Sequence, residues 1–242
     1  MTVTILYEDE QVIIVNKPNN VLVHHSYYAR NIQDESLLQI LNNQLQKKFY
    51  PIHRLDRKTS GLLLLAKEKE YVSQWQSMIE NNEINKRYLA IVRGHVLSPS
   101  SIKSPVKNER GNYKSAHSEI KPLTHFELGI PVAPYPTSRY SLVQFSPITG
   151  RTHQLRIHAN KISHPIIGDH KYGNRHHNRM FEEQLNLPNL FLHAYSLTFE
   201  HPNSGKQIEV EQYPPSFWKD FLNQQFLSVT HLSPSLIFPE NH

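Results

Sequence analysis

The chain has 242 residues and no cysteine, which rules out disulfide frameworks, thiolate metal sites and cysteine nucleophiles, and argues against methylation of uracil C5 through a Cys adduct. Its 26 Lys plus Arg outnumber 21 Asp plus Glu, giving a net charge of +5 that favours a polyanionic partner without requiring one. Hydrophobic residues at 38% can fill a sizeable core, the longest apolar run (Leu62 to Ala66) is far short of a membrane span, and none of the eight glycines lies two positions from another, so no GxG dinucleotide loop is present.

In chain order, Thr4 to Tyr7 and Val12 to Asn16 are β-rich runs around the acidic turn Glu8-Asp9-Glu10, which predicts a pair of strands. The start MTVTILYEDE lacks the basic residues and long apolar stretch of a signal peptide, so a cytoplasmic protein is expected. Leu37, Leu38, Ile40, Leu41 and Leu45 share one helical face, with Ser36 or Asp34 as the cap. Gly61 to Ala66 reads as a buried strand, the segment with Trp75, Met78 and Ile79 as helix, and Tyr88 to Val92 as strand. Residues 99 to 118 have no clean period and carry Pro99, Pro105, Gly111 and several lysines, so an exposed loop is predicted; Pro131 to Pro136 is a second irregular stretch. Tyr140 to Phe145 returns to strand. Thr152 to Ile162 reads as a helix with Thr152 as N-cap and Leu155, Ala159 and Ile162 inward, and 170–182 as a loop. Strands over Leu190 to Phe199 and Gln207 to Val210 precede a helix near Ser216 to Phe226, and residues 228–242 are expected to form a tail along the surface. Without a repeat or linker, a single domain over 1–242 is expected.

Residues 151 to 180 hold six cations (Arg151, Arg156, Lys161, Lys171, Arg175, Arg179) and one acid, Asp169. Lys103, Lys107, Arg110 and Lys114 add a second basic stretch, and the first window also holds Tyr172 and several histidines available for phosphate contact. Such charge belongs as readily to a solvated surface as to an RNA-binding one. His53-Arg54-Leu55-Asp56-Arg57-Lys58-Thr59-Ser60-Gly61 sets one carboxylate among three cations just before a buried strand. A carboxylate in such company is held ionised, ready as nucleophile or base, although an ordinary loop ion pair gives the same string. Sixteen histidines, including the pairs His24-His25 and His176-His177, invite a metal site. His153 and His158 are off the i, i+4 ligand spacing, however, and no metal is expected.

The string HRLDRKTSGLLLLAK resembles the active-site segment of the RluA-type pseudouridine synthases. EDEQVIIVNKPNNVLVH, KRYLAIVRG, TGRTHQLRIHANKISHPIIGDHKYG and NLFLHAYSLTFEHP resemble that family's other segments, in the family's order, from about Glu8 to Pro202. The resemblance implies an α/β fold of the α+β kind: one catalytic domain on a mixed, largely antiparallel sheet with flanking helices and a central cleft, without an N-terminal S4-type RNA-binding domain. It implies an isomerase that needs no cofactor, acts on RNA as a monomer, and has no membrane or DNA partner. Asp56 would be the catalytic carboxylate and Arg156 its ion-pair partner. Tyr88 would lie against the target base, where stacking is worth about 1–3 kcal/mol, and assist proton transfer. Arg54 would fill the space left by the extruded base, Arg151 would hold a phosphate, and His53, Thr59 and Leu192 would complete the substrate site. VLVHHSYYAR, PYPTSRYSLVQFSPITGR and GDHKYGNRHHNR look most like a tRNA-modifying branch of the family, which implies uridine 65 of the T-stem as target and ribosomal RNA as the alternative. Two rivals from other classes are a noncatalytic RNA-binding protein and an N-glycosidic hydrolase; the latter often needs a second carboxylate.

Overall fold

The computed structural model of the protein describes residues 1–25, 34–108 and 110–226. Half of VLVHHSYYAR (26–30) and the expected tail at 228–242 therefore lie outside the described residues. The chain opens with β1 (Ile5–Glu8) and β2 (Val12–Lys17), the antiparallel pair that the sequence predicts. The Asp9 carboxylate closes their turn by accepting the N–H groups of Gln11 and Val12 at 2.7 and 2.8 Å. Helix α1 (Leu37–Leu45) takes Ser36, not Asp34, as its cap: the Ser36 hydroxyl accepts from the Gln39 N–H and the Gln39 side chain returns to the Ser36 N–H.

Strands β3 (Tyr50–Pro51) and β4 (Ser60–Ala66) follow, and β4 is buried along its whole length, as its unbroken apolar run requires. Helix α2 (Val72–Glu80) turns Trp75 and Met78 inward before the long strand β5 (Ile84–Arg93).

The stretch at 99–118 is not the loop predicted. It contains β6 (Ser100–Lys103), β7 (Val106–Lys107), β8 (Tyr113–Lys114) and the start of β9 (His117–Leu128). The first three have two to four residues, too few to print a period. In β9 the inward positions alternate in one phase at Ser118, Ile120, Thr124, Phe126 and Leu128, with Pro122 half-buried in the same phase. There the register with β10 (Ser138–Pro147) slips, and a bulge accommodates the residue that has no N–H to donate.

Helix α3 (Gln154–Lys161) begins two residues later than predicted, because Thr152 sits in the preceding turn and His153, in a left-handed conformation with φ 56°, is the N-cap. A further correction falls on 170–182, read as loop. Helix α4 (Arg175–Leu185) is capped there by Asn174, whose side chain accepts from the N–H groups of His176 and His177. Its polar sequence hides an inward face: His177 Nδ1 lies 2.7 Å from the Tyr140 hydroxyl, and the Asn178 side chain bonds Gly168 and Asp169 backbone. Strands β11 (Leu192–Glu200) and β12 (Gln207–Glu211) and helix α5 (Ser216–Phe226) complete the order.

Among the described residues the main sheet has ten strands, ordered β1-β2-β4-β11-β5-β10-β9-β6, with β12 added to β11 and β3 to β4. β11 runs parallel to β4 and antiparallel to β5, so it joins the first-half strands to the rest. Alternation along β5 sorts the core: Leu89 and Ile91 face Met180, Phe181, Trp218 and Phe221 of α4 and α5, while Ala90 and Val92 face Leu155 and Ala159 of α3. Two glycines allow the close approaches that bring the site loops together. A Cβ on Gly61 (φ 107°) would overlap the Ala194 backbone, and one on Gly168 (φ 78°) would overlap Asn189.

Candidate active site

Asp56 stands on the loop between β3 and β4, immediately before the strand that enters the sheet centre. That loop is pinned from behind. Lys17, at the end of β2 and fully buried, donates from Nζ to the carbonyls of Pro18, Val21 and Arg57 at 2.8, 2.8 and 2.9 Å. Burial pushes its ammonium down to about 7, with the nearby Asp56 opposing the fall. The Asp56 carbonyl accepts from the Thr59 N–H at 3.1 Å, and the Asn19 side chain donates to the Lys58 carbonyl. The carboxylate thus projects from a turn with little freedom to move.

Facing it is Arg156 on α3, which divides its fork between two acids. Nη1 donates to Asp56 Oδ2 at 2.8 Å, while Nε and Nη2 donate to Asp169 Oδ2 and Oδ1, each at 2.8 Å. Asp169 is almost wholly buried and also accepts the N–H groups of Lys171 and Tyr172. Burial alone would raise its carboxyl, but the Arg156 guanidinium holds it below the usual carboxylate range. Burial likewise works against the Arg156 charge, and Asp169 and Asp56 more than offset it. The Tyr172 ring lies 5.2 Å from the guanidinium carbon, a cation–π contact. Its hydroxyl is 3.0 Å from His153 Nδ1, and His153 Nε2 is 3.8 Å from Asp56 Oδ1.

These groups open on a cleft of about 800 Å³ lined on one side by residues 51–56 and on the other by 147–156, with Tyr88 and Leu192 between them. Every predicted site residue lines it: His53, Arg54, Asp56, Thr59, Tyr88, Arg151, Arg156 and Leu192. Their situations differ. Burial, then the Asp56 charge, raises the Tyr88 phenol above its ordinary value, so it stays protonated. Leu192 and Thr59 are buried, whereas Arg54 and Arg151 are exposed at the mouth. His53 accepts the Leu64 N–H at Nε2 and is pushed by burial, with Lys86 adding to it, down to about 3, so it is a neutral hydrogen-bonding group.

Lys17 and Asp169 escape a reading of the residue pattern as site residues, and His153 and Tyr172 are read there only as groups available to phosphate. Asp169 left one trace, as the lone acid in a basic window, and Lys17 another, as a charge ending an apolar strand.

A carboxylate fixed against an arginine, at the bottom of a cleft with cations at its mouth, is an arrangement that suits a polyanionic substrate. The profile of the RNA pseudouridylate synthase family matches residues 11–161. A tRNA pseudouridine synthase C of Pasteurella multocida (strain Pm70) is 40% identical over 92% of this chain and 96% of its own length. That of Vibrio cholerae is 36% identical over 91% and 94%. The structure of human RNA pseudouridylate synthase domain containing 1 superposes with a TM-score of 0.68 at 26% identity, covering 88% of this chain and 84% of that one. The chain belongs to the RNA pseudouridylate synthase family, whose reaction isomerises uridine to pseudouridine in RNA.

Proposed function

We propose that this enzyme modifies tRNA at uridine 65 of the T-stem, with Asp56 as the carboxylate that acts at the ribose. The contact between Asp56 and Arg156 at 2.8 Å inside the cleft carries this reading. It holds a carboxylate, oriented by a guanidinium, where a sugar carbon can meet it. The tRNA preference rests on the similarity to bacterial tRNA pseudouridine synthases C and on the segments that resemble their branch. The same proposal has the enzyme work in the cytoplasm, as one domain and a monomer.

Isomerisation breaks the N1–C1′ bond, turns the uracil and rejoins it through C5, so it is redox-neutral and takes no group from a donor. The target nucleotide must leave its stack first, at a cost of a few kcal/mol. Arg54 and Arg151, exposed at the mouth, offset that by pairing with phosphates and entering the vacated space. Tyr88 and Leu192 offer a ring and an apolar side chain to the extruded base. Asp56 then attacks C1′ or removes the C2′ proton, with attack on uracil C6 as the older alternative, while Arg156 holds it oriented.

The test is pseudouridine formation, mapped by position, on unmodified tRNA transcripts and on ribosomal RNA fragments, with wild type beside Asp56→Asn. Product at position 65 that disappears in the variant is the expected result. Product confined to the ribosomal fragments would move the target, and release of free uracil would replace isomerisation with hydrolysis.

A further inference from the structure

Conversion of uridine to pseudouridine moves a proton as well as a glycosidic bond. Uridine carries hydrogen on C5 and none on N1; pseudouridine has the reverse. Once C1′ is joined to C5, that carbon still holds its hydrogen, and N1=C6 is a double bond. A base must take the C5 proton; the C5–H electron pair re-forms C5=C6, the N1=C6 pair returns to N1, and N1 takes a proton. Electrons balance without an oxidant or reductant.

Asp56 is committed at the ribose, and its neighbours differ as candidates for this second task. Tyr88 is a poor base, because burial and the Asp56 charge strengthen its hold on its proton. Arg156 is charged and has each of its guanidinium nitrogens engaged. His153 is placed otherwise. It lines the cleft with a side chain 26% exposed, and its backbone holds the left-handed conformation at φ 56° that side-chain-bearing residues seldom adopt outside constrained sites. As N-cap of α3 it makes no capping bond with its side chain, so the ring serves no helix end. Instead Nδ1 is 3.0 Å from the Tyr172 hydroxyl and Nε2 is 3.8 Å from Asp56 Oδ1. Tyr172 is itself fixed, by its N–H on Asp169 and its ring against Arg156. Burial lowers the imidazole, Asp56 opposes that, and Arg156 and Lys171 lower it further, leaving it neutral and able to accept at neutral pH.

We infer that His153 is the base that removes the C5 proton and, as imidazolium, gives a proton to N1, with Tyr172 as the positioning residue that accepts from Nδ1–H and so leaves the Nε2 lone pair facing the cleft. The inference rests on the isomerase reading above and assigns a second protonation role within the same cleft.

The experiment compares target RNA carrying 5-deuterouridine with its protium counterpart in single-turnover reactions of wild type, His153→Gln and Tyr88→Phe. Loss of a general base is expected to slow His153→Gln by about 100-fold and to expose a C5 isotope effect larger than that of wild type. A variant that merely disturbs packing slows both RNAs alike. Equal slowing of the two RNAs by His153→Gln, or an isotope effect that surfaces in Tyr88→Phe instead, overturns the assignment. Should His153→Gln fail to fold, Tyr172→Phe takes its place, with a smaller rate loss but the same exposed isotope effect; its absence also overturns the assignment. Wild type that makes no pseudouridine from either RNA overturns the parent reading and this one together, and shows itself before any variant is compared.

Discussion

The floor of the cleft and its rim are held in opposite ways. On the floor, Asp56, Arg156 and Asp169 are linked by three contacts at 2.8 Å, and their side chains are only 19%, 11% and 1% exposed. At the rim, Arg54 is open to solvent and Arg151 is tied by Nε to a single carbonyl, that of Ser115, at 3.1 Å. Charges fixed in advance need no rearrangement when the reaction builds charge against them. Exposed arginines keep their rotamers and can follow an RNA backbone. The comparison teaches that the cleft joins a fixed floor to an adaptable rim; with the roles proposed above, chemistry and recognition should separate in kinetics.

The sharpest break comes from Asp56→Asn, which keeps an acceptor for Arg156 but removes the reacting charge. Pseudouridine formation should fall about 1000-fold or more, with RNA affinity little changed in a filter-binding assay. Arg156→Lys is next. One ammonium cannot serve two carboxylates in the geometry of a fork, and kcat should drop by about 100-fold while KM stays near that of wild type. Arg151→Ala should act the other way, raising KM and flattening the slope of log affinity against log salt by about one at nearly constant kcat. An equal loss of kcat in Arg151→Ala would erase the distinction between floor and rim.

The smallest expected effect concerns acid. His177 and His193 are pushed by burial down to about 4, and His53 by burial to about 3. A histidine whose folded pKa is depressed contributes stability that is intact above its unfolded value, about 6.5, and lost as pH falls toward the folded one, because the unfolded chain takes up the proton first. Asp169, depressed by Arg156, adds in the same direction at lower pH. Thermal melting should therefore weaken from pH 6.5 downward. His193→Gln, at a site that bonds Ser60 and the Gln212 carbonyl, should reduce that slope. A melting temperature flat from pH 7 to pH 5 would count against it.

How legible the molecule was in its sequence depended on how local each signal was. The β1–β2 pair, α1, β4 and α5 each carry their period or cap within a dozen residues, and they stand where expected. β9 was hidden because its inward phase includes Ser118, Pro122 and Thr124, which do not print an apolar alternation. α4 was hidden because its inward face includes His177 and Asn178, whose burial is made tolerable by partners on β10 and in the 168–169 turn. Of the residues that line the cleft, Asp56, Tyr88 and Arg156 were singled out through resemblance. The contacts of Asp169 and Tyr172 with Arg156 were not legible, since no spacing rule prints them. His153 adopts its backbone conformation without a glycine to announce it.

The position of β11 has a consequence for when activity can first appear. Asp56 and Arg156 are 100 residues apart, and the strand that fastens their two halves together starts only at Leu192. A ribosome making this protein in order delivers the carboxylate early, its arginine much later, and the seam last. Contacts of such long sequence separation form late. Until β11 has left the exit tunnel, the nascent chain holds a basic, RNA-attracting surface without a completed reaction centre, so an incomplete chain can cling to RNA but not modify it.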